Sequence, residues 1–123
     1  MYKLAVKRDF VAQHFLIGGD FGEENDWHSH HYTVEVTLFG SELNNHGYLV
    51  DITEIENILS TLINIYADST LNELPEFDGL NPSLEHFARI FYSRFAEALD
   101  ISSLSGVQIK LWEDENCWAE YSE

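Results

Sequence analysis

The chain has 123 residues, 45% of them hydrophobic and 14% aromatic, which suffices for one domain with a real core and argues against disorder. Against 22 acids stand 6 Lys and Arg, and the formal net charge of −16 excludes nucleic acid and anionic membranes as partners. No apolar run reaches the length of a membrane span, the N-terminus has no cleavable-signal pattern, and the lone Cys117 cannot form an internal disulfide, so the expected compartment is the cytoplasm.

Tyr2 to Phe15 alternates in polarity and predicts a strand with Phe10, Ala12 and His14 in phase. Residues 17–26 form a loop with three glycines and a dense patch of acids. A second strand runs from His28 to Phe39, with Tyr32, Val34, Val36 and Leu38 on one face and His31, Thr33, Glu35 and Thr37 on the other. Residues 40–47 are polar and turn-rich, and Tyr48–Val50 reads as a short extended piece. Asp51 is an N-cap, with Glu54 in the capping-box position, for a helix carrying Ile55, Ile58, Leu59, Leu62 and Ile63 on one stripe.

After a connector over 68–79, Asn81 or Ser83 caps a second helix, with Pro82 in its first turn. Its stripe is Leu84, Phe87, Ile90, Phe91, Phe95 and Leu99. Val107–Trp112 alternates as a third strand, residues 113–116 turn, and Cys117–Tyr121 returns as a fourth with Cys117 in the core. The order ββααββ predicts an α+β protein, one domain over 1–123, with two helices on one face of an antiparallel sheet.

Side chains two apart in a strand share a face, so His28 and His30 project together and His31 points away. A tight antiparallel pairing would bring His14 alongside them. Three neutral imidazoles with an open fourth position suit zinc (Zn2+) and describe a catalytic rather than a structural site, although histidines alone also accept other divalent metals. The H-x-H pattern by itself is a weak signal and favours surface histidines that happen to lie near each other, a set open to His31 and His46. His86, beside a helix cap, is expected to be solvated.

Several segments in order resemble the 6-pyruvoyl-tetrahydropterin synthase and 6-carboxytetrahydropterin synthase family. Phe10-Val11-Ala12-Gln13-His14 resembles its F-x-A-x-H strand, and His28-Ser29-His30-His31-Tyr32 its H-G-H-x-[YF]. Gly47-Tyr48-Leu49-Val50-Asp51 is similar to G-M-V-x-D, Leu71-Asn72 to L-N, Asn81-Pro82-Ser83-Leu84-Glu85 to N-P-T-x-E, and Glu113 to the Glu of E-T. The resemblance implies the T-fold, with subunits joined through sheet edges as a homo-oligomer (a trimer or hexamer) and sites between them. It implies that His14, His28 and His30 bind zinc. It further implies that Glu113 pairs with the N–H groups of a pterin ring, a match for a bidentate carboxylate.

The chain departs from that family at the proton-transfer groups. The usual cysteine before H-G-H is replaced by Glu24, four residues before His28, with Glu23 and Asp26 nearby. The usual L-D-H segment reads Tyr66-Ala67-Asp68-Ser69-Thr70 before Leu71-Asn72: without a gap its Asp and His fall on Ala67 and Asp68, with a gap on Asp68 and Ser69, and either way the histidine is missing. Ser29 replaces the glycine of the metal motif. Family members with glutamate for cysteine cleave the side chain of dihydroneopterin-type substrates, and Glu24 fits that variant by position.

The candidate catalytic residues are therefore Glu24 and Asp68, and the expected activity is that of a zinc-dependent carbon–oxygen or carbon–carbon lyase. Its substrate is the side chain of a dihydropterin, dihydroneopterin or its triphosphate. The scarcity of Lys and Arg favours the substrate without a triphosphate. Two other readings stand beside this one: a zinc- and pterin-binding protein without lyase activity, and a metalloenzyme with a different substrate.

Overall fold

Period-two alternation at the two ends of the chain and a 3.6-residue stripe in its middle sort the apolar residues onto surfaces that close on one another. In a computed structural model describing residues 1–123, the strands are β1 (Tyr2–His14), β2 (His28–Gly40), β3 (Gly106–Trp112) and β4 (Trp118–Ser122). Between β2 and β3 lie the helices α1 (Ile52–Tyr66) and α2 (Leu84–Ala98). The strands form one antiparallel sheet in the order β1-β2-β3-β4, the ββααββ arrangement of the T-fold. No helix is long and apolar enough to cross a membrane.

One face of the sheet presents Val6, Phe10, Ala12, Tyr32, Val34, Val36, Leu38, Val107, Ile109 and Leu111, all buried. The helices cover it with Ile55, Leu59, Leu62 and Tyr66 from α1, and with Phe87, Ile90, Phe91 and Phe95 from α2. Phe87 is central: the rings of Phe10, Tyr32, Tyr66 and Phe77 lie 6.0, 5.3, 5.1 and 5.6 Å from its own. Truncating such a ring to alanine costs about 3–5 kcal/mol. On the other face, Lys3 lies over Phe39, Lys7 over Trp112, and Lys110 over Trp112 and Trp118. All three lysines of the chain thus shield aromatic rings there with their stems and charges.

The helix boundaries refine the sequence reading. Asp51 caps α1, but its carboxylate accepts from the Thr53 N–H at 2.9 Å. Ser83, not Asn81, caps α2 by accepting from the His86 N–H at 3.1 Å. Pro82 therefore lies outside the helix rather than in its first turn, and its carbonyl is free to serve another group. His86 is not solvated: it is half-buried, and its Nδ1 sits 2.7 Å from the Asn81 carbonyl oxygen. Tyr48–Val50 forms no strand. The last strand starts one residue later than the alternation predicts, and Cys117 is exposed in the β3–β4 turn rather than in the core. The Asp114 carboxylate, which accepts from the Asn116 and Cys117 N–H groups, holds the turn there.

Candidate metal centre

The register of β1 against β2 builds the centre. His14 lies directly opposite His28, and Ala12 opposite His30, so three imidazoles meet at one end of the hairpin. His14 Nε2 is 2.9 Å from His28 Nε2, which is 3.1 Å from His30 Nε2. The rings stand nearly perpendicular to one another, with centroids 4.5–4.9 Å apart. His14 is buried, while His28 and His30 are half-buried and face the rim. His31 points to the opposite face, 3.6 Å from Asp9. Ser29 also points away, and its hydroxyl accepts from the Gln13 amide at 3.2 Å, so the exchange of glycine for serine leaves the histidine cluster untouched.

The outer nitrogens fix the chemistry of the inner ones. His14 Nδ1 lies 3.0 Å from the Pro82 carbonyl oxygen and His28 Nδ1 lies 2.7 Å from that of Asp26. A carbonyl only accepts, so each Nδ1 carries the proton and each neutral ring presents a bare Nε2 lone pair to the centre. Two such lone pairs at 2.9 Å repel unless a cation lies between them. Protonation does not provide one at His14, whose pKa is lowered from 6.5 to about 4, first by burial and then by the His30 and His28 charges. For comparison, two ligands about 2.05 Å from a tetrahedral zinc are about 3.3 Å apart. The donor set therefore fits a divalent metal, and the two carbonyls act as the orienting partners that metal-bound imidazoles commonly have.

Glu24 joins this group from a short 3₁₀ turn, Gly22–Asn25. Its Oε2 is 3.1 Å from His28 Nε2, and the ligating atoms of His14, Glu24, His28 and His30 all lie within 4.8 Å of one another. Glu113 follows Trp112, the last residue of β3, whose ring lies on the outer face; alternation turns Glu113 toward the histidine side. It is half-buried, and burial raises its pKa, as do the carboxylates of Glu24, Asp114 and Glu85, while the nearby His30 acts in the opposite direction. Asp68 is placed differently. It occupies a left-handed turn after α1 (φ 58°), is exposed, and reaches β1 through its N–H, 2.7 Å from the Val11 carbonyl oxygen.

The motif residues without an assigned role prove to be brackets for the segment after His14. The Asn72 side chain both accepts from the Phe15 N–H at 3.0 Å and donates to the Phe15 carbonyl at 2.9 Å. Asn81 accepts from the Ile17 N–H at 2.8 Å. Tyr32, buried beneath the cluster, places its hydroxyl 3.3 Å from His14 Nδ1, and burial raises its pKa. A hollow of about 570 Å³ lies at the other end of β1, between Tyr2, Leu4, Leu43, Tyr48 and Ile52. The Gly47–Asp51 segment lines that hollow and not the metal centre, and no group of ligating side chains lies in it.

The family model described as 6-pyruvoyl tetrahydropterin synthase matches residues 3–123. A 6-carboxy-5,6,7,8-tetrahydropterin synthase of Rickettsia typhi is 26% identical over 121 residues, covering 94% of this chain and 87% of the relative. The structure of Caenorhabditis elegans 6-pyruvoyl tetrahydropterin synthase superposes with a TM-score of 0.81 at 22% identity, covering 100% of this chain and 97% of that one. A Plasmodium vivax 6-pyruvoyltetrahydropterin synthase, solved as a catalytic-residue mutant with cysteine in place of glutamate, superposes with a TM-score of 0.83 at 14% identity, covering 99% and 97%.

Proposed function

Since the chain belongs to the 6-pyruvoyl tetrahydropterin synthase family, we propose that it is a zinc-dependent lyase acting on the side chain of a dihydropterin, dihydroneopterin or its triphosphate. The observation that carries this reading is the convergence of three imidazole Nε2 atoms, two of them held bare, and one carboxylate at the end of β1 and β2. His14, His28 and His30 would hold the metal. When bound, zinc supplies a Lewis acid that polarises the oxygens of the substrate side chain.

The remaining chemistry belongs to the carboxylates. Glu113 accepts the N–H groups at the 2-amino-4-oxo edge of the pterin and fixes the ring with its side chain toward the histidines. Its half-burial strengthens those hydrogen bonds by excluding water. Glu24 takes and returns the proton of the side chain, with Asp68, in the turn bonded to Val11 of β1, assisting. Support for a glutamate in this role comes from the Plasmodium vivax enzyme, whose catalytic residue is a glutamate. The outer edge of β1 is bonded only near its end, where residues 68–70 pair with Val11 and Gln13, and we propose that the rest of this edge and β4 pair with neighbouring copies in a trimer or hexamer. The free, exposed Cys117 is in keeping with a cytoplasmic protein.

The zinc-loaded protein incubated with dihydroneopterin, and separately with its triphosphate, should convert one of them to a pterin with a shortened or rearranged side chain. Glu24→Gln should lower that rate by about 10²–10⁴-fold. Ligand binding without turnover of either compound would replace the lyase reading with that of a pterin-binding protein.

A further inference from the structure

The three histidines leave one tetrahedral position unassigned, and Glu24 is already aimed at it. Its side chain is 52% exposed, yet its backbone is held on both sides. The Glu24 carbonyl accepts from the Leu16 N–H at 2.8 Å. The Asn25 side chain donates to the carbonyls of Leu16 and Gly19, at 3.0 and 3.1 Å, and accepts from the Phe21 N–H at 2.7 Å. The Asp26 carbonyl is occupied by His28 Nδ1. Glu24 is thus tied to the end of β1 that carries His14 and to the start of β2 that carries His28.

Glu24 Oε2 and His28 Nε2, 3.1 Å apart, do not form a hydrogen bond while the ring is neutral. The ring proton is on Nδ1, facing Asp26, so a bare nitrogen faces an anionic oxygen. A shared cation turns that repulsion into two ligand bonds. With three neutral imidazoles a divalent centre carries +2, and the Glu24 carboxylate lowers this to +1.

We propose that Glu24 is the fourth ligand of the metal in the substrate-free protein. The centre is then closed at rest, and the carboxylate must leave before it can act as a base. This inference rests on the reading of His14, His28 and His30 as a metal site. Its test compares wild type with Glu24→Ala, after chelation and refilling with Co2+, by visible absorption, zinc competition and azide titration. Glu24→Ala should retain cobalt with altered d–d bands and bind zinc at least about tenfold more weakly. Its bands should also respond to at least tenfold less azide, because water now occupies the fourth position. A variant matching wild type in bands, zinc affinity and azide response would overturn the role of Glu24 and leave the histidine site standing. A wild-type protein that binds neither cobalt nor zinc would overturn both.

Discussion

His14 Nε2 and His28 Nε2 face each other at 2.9 Å with no proton between them, because each ring donates its Nδ1 proton to a main-chain carbonyl. The pair sits in direct register across β1 and β2, so the backbone ladder sets their approach. The metal-free centre therefore concentrates lone pairs in one place, and four consequences can be measured.

Removal of the Asn72 bracket should weaken the centre at a distance. Its side chain satisfies both main-chain groups of Phe15, the residue after His14. Asn72→Ala should cost about 1–3 kcal/mol in urea unfolding, because it strands partly buried polar groups. It should also lower zinc affinity about tenfold, through the freedom given to His14. Unchanged stability together with unchanged affinity would contradict the bracketing role.

The metal-free protein should lose stability in mild acid through His14. Its pKa falls from 6.5 to about 4 on folding, with burial as the first cause. The unfolded chain then binds more protons between those values. The contribution is fully present above about pH 6.5 and is lost as pH falls toward 4, with a limit of about 3 kcal/mol. Unfolding titrations of metal-free wild type and His14→Gln between pH 7 and 4 should show the wild type losing more stability. Parallel curves would contradict the assignment.

The two carboxylates should separate by substitution. Asp68 is exposed and occupies a left-handed conformation that Asn also tolerates. Asp68→Asn should keep the fold and lower turnover less than Glu24→Gln does. Asp68→Ala should cost about 1 kcal/mol in stability from the backbone alone. A loss of turnover in Asp68→Asn equal to that in Glu24→Gln would make Asp68 the principal base.

Much of this was legible in the residues themselves. Alternation in Phe10–His14 and Tyr32–Leu38 placed the core face, and the H-x-H spacing placed two imidazoles together. The third, His14, needed the strand register, which no local pattern specifies, although equal strand lengths from one hairpin are consistent with it. The second layer was hidden for a physical reason: the Asp26 and Pro82 carbonyls are main-chain groups and have no residue-type signature. Asn72 and Asn81 were visible as motif members, but their hydrogen bonds to Phe15 and Ile17 depend on the fold. Cys117 was misplaced because the alternation of β4 continues by one residue into a turn that the Asp114 carboxylate organises.

The central claim is that His14, His28 and His30 bind one divalent metal, and elemental analysis of the purified protein tests it most directly. We expect close to one zinc per chain in the wild type, and none retained after gel filtration in His28→Ala or His30→Ala. A folded wild-type protein that purifies without metal and takes up no zinc on reconstitution would contradict the account.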